Sequence, residues 1–167
     1  AYLEVLIGFM FYIYQLYLIF KTKVRKQKDI YYIYIVFSVT NLILAIILTC
    51  FYFINKNDYL LSVAGFVFLI GFLSPIITAH LYKIVPFLVW FHRFASLVGK
   101  QKVPMLADMV PIKSSNFGFG FYLIGFITAL IAFSFSSDIL FKASVSFLFI
   151  GTIFIVKDVF YIINFKG

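Results

Sequence analysis

The sequence has one cysteine, Cys50, and two histidines, His80 and His92, among its 167 residues. A single thiol excludes an intrachain disulfide and a cysteine-based metal cluster. Cys50 stands inside an apolar run and reads as a small packing residue. Charge is scarce: 12% of residues are Asp, Glu, Lys or Arg, against about 25% in an ordinary soluble domain. No GxxxxGK phosphate loop and no HExxH zinc motif occurs. Ser114 and Ser115 have no histidine or acid placed to activate them, so hydrolase chemistry is not expected. Gly118 and Gly120 form a lone Gly-x-Gly, which reads as a packing or entry turn. There is no heptad pattern, no low-complexity linker and no internal repeat.

What fills the sequence instead is apolar surface: 64% of residues are hydrophobic and the mean hydropathy is +1.08. A soluble domain of this size buries only about 70% of the surface its unfolded chain exposes, so lipid must be the second solvent. The fold class expected is all-α, a polytopic membrane helix bundle of five transmembrane helices. Each span needs about 20 mainly apolar residues, and five stretches supply them: 2–20, 30–54, 59–85, 117–135 and 139–156. No basic segment precedes the first run, so it does not read as a signal peptide. The apolar pattern is already running at Tyr2, behind Ala1. The chain is therefore expected to be one domain and a piece of a longer protein.

The third run stays apolar to Phe91, which would make a helix of about 50 Å in a hydrocarbon core of about 30 Å. Pro75 and Pro86 are the expected helix breaks, since each removes a backbone donor and crowds the preceding turn. A kink at Pro75 and an end between His80 and Pro86 follow. Residues 91–116 become a connection lying in the interface, with Pro104–Val110 as one short helix before Pro111.

The net charge of +8 invites a nucleic-acid reading, but the basic residues lie between the apolar runs, where topology signals sit. Nucleic acid is not an expected partner. Five basic residues fall in 21–29 and four in the third connection, while the second connection has only Lys56 and the fourth none before Lys142. This alternation predicts the amino end outside and the carboxyl end in the cytoplasm.

Helices associate in lipid through small residues that let backbones approach. Gly125, Ala129 and Ala132, then Ser144, Gly151 and Asp158, and on the third run Ala64, Gly71, Ser74 and Thr78, form such stripes. Asn41 is expected to make an interhelical hydrogen bond. Lys157 and Asp158 mark either a membrane exit or a buried polar point, with Lys83 or Arg93 as partners for Asp158.

Ionisable residues within a span are costly and therefore candidates for function. His80, Lys83 and Phe87 share a helix face, whereas His92 is about 120° away from His80 on an unbroken helix. Imidazole is a common ligand for haem iron and copper, which makes His80 the candidate metal ligand and His80, His92 and Lys83 the candidate cofactor-binding residues.

The run from Gly71 to Arg93, containing Tyr82-Lys-Ile-Val-Pro-Phe-Leu-Val-Trp90, resembles a segment of uncharacterised bacterial membrane proteins related to the haem–copper oxidase subunit I and NnrS group. The resemblance covers about 25 of the 167 residues. It implies a respiratory or metal-handling setting in a bacterial inner membrane, with haem or copper as cofactor. The redox members of that group use several histidines on different helices, and most have no counterpart here. Three functions follow as expectations: part of a haem–copper-like redox protein, a non-catalytic membrane subunit or assembly factor, and a small-solute or ion carrier using the break near Pro75. The expected partners are the bilayer and further membrane subunits, or the remainder of the same chain.

Overall fold

The computed structural model describes residues 2–22 and 29–165, with side chains from residue 4 onward. The basic connection at 23–28 lies outside the described residues. The α-helices are α1 (Tyr2–Thr22), α2 (Ile30–Asn55), α3 (Asp58–Phe66), α4 (Ser74–Phe94), α5 (Ile112–Phe135) and α6 (Asp138–Ile163). A π-helical segment, Val67–Leu73, joins α3 to α4 without interruption. No strand occurs among the described residues. Five helical stretches are long and apolar enough to cross a membrane, the third being the continuous run Asp58–Leu97. The chain is an integral multi-pass membrane protein.

Local chemistry sets the helix ends. Asp29 Oδ1 accepts the Tyr32 N–H at 3.1 Å and starts α2. At its far end Lys56 turns left-handed, with φ 54°, and donates its N–H to the Tyr52 carbonyl. Asn57 then caps α3 through the Tyr59 N–H at 3.0 Å. The turn between α5 and α6 repeats this sequence, with Ser136 left-handed at φ 48° and Ser137 capping the Leu140 N–H. Left-handed C-cap followed by polar N-cap makes both connections tight hairpins.

The third span corrects the expectation of an end between His80 and Pro86. Neither proline ends it; both are buried inside a helix that runs on to Phe94 and a 3₁₀ turn at Ala95–Leu97. The strain is absorbed upstream. Widening to π geometry, in which the Ser74 N–H reaches back to the Leu69 carbonyl, relieves the clash of the Pro75 ring with the preceding turn. Pro75 has no N–H to offer in that five-residue register, and the Tyr122 hydroxyl donates instead to the Ile70 carbonyl at 2.6 Å. Ser38 Oγ donates to the Phe72 carbonyl at 3.1 Å.

Other bounds move as well. The connection is 98–111 rather than 91–116, because α5 opens at Ile112, where the buried Ser115 folds its hydroxyl back onto the Pro111 and Ile112 carbonyls. Pro104–Val110 forms no interfacial helix but a single 3₁₀ turn, Leu106–Met109, with Asp108 Oδ2 accepting the Met105 N–H and Met109 fully buried. α6 continues to Ile163 instead of ending near residue 156.

The tightest pair is α5–α6. A Cβ on Gly125 would lie 2.8 Å from the Leu148 nitrogen, and one on Gly151 would lie 2.9 Å from the Tyr122 nitrogen. The two backbones therefore touch, and the small-residue stripes of both helices are buried. The third span packs between α2 and this hairpin through Ala64, Gly71 and Thr78. α1 is different. None of its described side chains is buried, and it meets the third span through ring edges, Phe9 against Phe68 and Phe72 at 6.2 Å. Elsewhere isoleucine and phenylalanine cover the outer faces, as at Phe135, Ile139 and Phe149.

Candidate functional site

One end of the bundle holds a cluster of buried polar groups. The stripe Tyr34, Ser38, Asn41 and Ala45 faces inward on α2, and the stripe Gly71, Thr78, Tyr82 and Pro86 faces inward on the third span. α6 presents Asp158 and Ile162, both fully buried, to them. These three faces meet at Asp158, which has 0% exposure. The Tyr82 hydroxyl donates to Asp158 Oδ2 at 2.7 Å. Tyr34 stacks on Tyr82 with ring centroids 6.0 Å apart. The Phe119 edge closes the other side of Tyr34 at 5.0 Å.

Two atoms of this cluster have no hydrogen-bond partner: Asp158 Oδ1 and Tyr34 Oη. Buried polar atoms are nearly always paired, because leaving one without a partner costs about 1–3 kcal/mol. The Ser114 hydroxyl is a third unpartnered group, and antiparallel pairing of α5 with α6 puts it near the Asp158 level. Asp158 lies 20 residues into α6, about 30 Å along the axis. That is one hydrocarbon thickness from the Ser136–Ser137 turn.

The expected partners of Asp158 are corrected. Lys83 pairs with Asp29 at 2.5 Å, and Arg93 donates to the Phe165 carbonyl at 2.7 Å. Both cations sit on exposed faces of α4, so the inward-facing Tyr82 reaches Asp158 instead. Lys157 is exposed and lies over the Phe154 ring. Asn41 is buried, yet it makes no interhelical bond; its Nδ2 donates to the Phe37 carbonyl at 2.8 Å on its own helix. Its side chain packs against Gly71, where a Cβ would fall 2.9 Å away. That close approach leaves no room for a partner across the interface.

The histidines do not converge. His80 Nδ1 lies 2.7 Å from the Ile76 carbonyl and His92 Nδ1 lies 2.8 Å from the Leu88 carbonyl. Each ring is tied to its own helix and exposed. Among the described residues no three His, Cys, Asp or Glu side chains gather as a metal site. The candidate set His80, His92 and Lys83 therefore does not form a haem or copper pocket within the described residues.

No protein-family model, curated protein or solved structure matches the chain. The chemistry must be read from the cluster itself. An ionised carboxylate only accepts hydrogen bonds, whereas a protonated one also donates. Asp158 Oδ1 is a buried acceptor without a donor, in the same cluster as a phenol oxygen that itself lacks a partner. Tyr82 fixes the other carboxylate oxygen. Tyr34 and Tyr82 are residues that sequence reasoning missed. Their signal was present: each extends a small or polar stripe by one turn, Tyr34 from Ser38 and Tyr82 from Thr78.

Proposed function

We propose that the protein is a small membrane carrier of ions that works by taking up and releasing a proton at Asp158. The observation that carries this reading is the fully buried carboxylate with one oxygen bound by Tyr82 and the other unpartnered. Asp158 sits at the edge of the hydrocarbon layer, and a carboxylate fully buried inside a bundle there is costly and marks a candidate point of proton entry or release. A bare metal cation is a poorer fit, since hard cations take six or more oxygens and the cluster offers one free carboxylate oxygen and phenols. The amino end is outside, the carboxyl end cytoplasmic, and the membrane a bacterial inner one. The first two follow from the basic connections and the last from the resemblance of the 71–93 stretch.

Infrared difference spectroscopy on the protein in lipid nanodiscs tests the proposal directly. A buried carboxylic-acid carbonyl band should appear in pH-jump difference spectra and be missing in Asp158→Asn. Tyr82→Phe should move the band without removing it. A wild-type spectrum with no pH-dependent band assignable to Asp158 overturns the reading. Proteoliposomes under an imposed pH gradient supply the functional arm, with proton flux lost in Asp158→Asn. Flux equal in wild type and variant counts equally against it.

A second reading, the redox one, draws support from His80. With Nδ1 bound to a carbonyl, its Nε2 is free on an exposed face. It requires further ligands from outside the described residues. A Soret band in purified protein that disappears in His80→Ala would carry it.

A further inference from the structure

We infer that the gap between α1 and the third span is a binding groove for one acyl chain of an anionic phospholipid. The inference is independent of the proton chemistry at Asp158. The groove holds about 950 Å³ and is lined by Gly8 and Tyr12 of α1, Tyr31 of α2, and Phe72, Ile76 and His80 of the third span. That volume lies at the upper end of the range of ligand clefts, about 300–1,000 Å³.

Its origin is local. Phe9 and Tyr12 hold α1 away from the third span by ring-edge contacts with Phe72 at 6.2 and 6.5 Å. Next to Phe9, and one turn before Tyr12, Gly8 contributes no side chain, and a Cβ there would meet nothing within 4 Å. The walls are nearly all hydrocarbon and aromatic carbon, and the mouth opens on the outer face of the bundle, where the bilayer lies.

Length and charge identify the occupant. The lining residues of α1 run from Val5 to Ile19, about 21 Å along the axis and roughly two-thirds of a hydrocarbon core of about 30 Å. The groove is therefore deep enough to take an acyl chain reaching in from one leaflet. Its polar end is basic. Lys83 stands over the Tyr31 ring at 5.1 Å and pairs with Asp29, while His80 touches the same ring by its edge. Lys21 lies in the last turn of α1, and Lys23, Arg25, Lys26 and Lys28 follow it in the sequence before Asp29. An apolar slot long enough for an acyl chain, with Lys83 at its polar end, fits a lipid with hydrocarbon chains and a negative headgroup.

Native mass spectrometry of the detergent-solubilised protein with dioleoyl phosphatidylglycerol or dioleoyl phosphatidylcholine provides the test. The wild type should retain one phosphatidylglycerol saturably, and at least fivefold more of it than phosphatidylcholine. Gly8→Leu, which fills the slot, should lower retention of both lipids at least tenfold. Gly65→Leu, on the third span outside the groove, should not change it. Lys83→Gln should keep chain binding and shrink the headgroup preference to about twofold or less. Should Gly8→Leu fail to assemble, Ile76→Trp repeats the obstruction from the facing wall. Equal retention of the two lipids by the wild type, non-saturating adducts, or retention unaffected by obstruction would each overturn the inference.

Discussion

Asp158 and Lys83 carry opposite charges on adjacent helices, yet their energetic roles differ because of where their side chains point. The Tyr82–Asp158 bond is buried, so Tyr82→Phe strips a carboxylate oxygen of its donor where no water can replace it. A loss of about 1–3 kcal/mol is expected, read from reversible unfolding in mixed micelles. Lys83 and Asp29 are 51% and 37% exposed, and exposed pairs contribute about 0–1 kcal/mol. Lys83→Ala should therefore leave stability nearly unchanged in the same assay. A larger loss for Lys83→Ala than for Tyr82→Phe would reverse this ordering. Sequence reasoning singled out Asp158 but looked for cations as its partners. Charge complementarity is visible in a string of letters, whereas helix phase decides which side chain arrives. Lys83 follows Tyr82 by one position, and that single step of about 100° turns the cation outward and the phenol inward.

At the scale of elements, the α5–α6 hairpin and the third span illustrate what a local pattern reveals. The spans, the two tight turns and the small-residue stripes were legible because each is written within one helix. Gly151→Leu should disrupt the hairpin, since its side chain would be driven into the Tyr122 backbone. Overpacking of this kind typically costs about 1–3 kcal/mol. Gly120→Leu, whose Cβ would meet nothing within 4 Å, should be tolerated; melting of the two variants side by side makes the comparison. The continuity of the third span was not legible. Pro75 has every local property of a helix breaker. The donors that repair its surroundings, Tyr122 and Ser38, come from α5 and α2, so only the assembled bundle reveals that the helix survives. The same holds for Met109, whose burial turns a presumed surface helix into a tucked 3₁₀ turn.

At the scale of the whole molecule, the third span is longer than a bilayer requires. Its 40 residues extend about 60 Å, twice the hydrocarbon thickness. Lys83 is level with the start of α2, so residues 84–97 project about 20 Å past that level. The 98–111 connection packs back on this projection, with Trp90 Nε1 donating to the Pro104 carbonyl at 2.9 Å. The proposed orientation puts the projection in the cytoplasm. In a Cys50→Ser background, a membrane-impermeant thiol reagent applied to intact cells should label a cysteine at Asn57. It should label one at Lys100 only after the membrane is opened. The opposite pattern would invert the bundle.

The tightness of α5 against α6 also bears on biogenesis. Tyr82 leaves the ribosome well before Asp158 does, and its hydroxyl has no other partner in the finished fold. Until α6 inserts, Tyr82 on the third span lacks the buried acceptor that α6 supplies. A chain interrupted after α5 would therefore hold a phenol in the bundle with its hydrogen bond unmade, which ties completion of the polar cluster to insertion of α6.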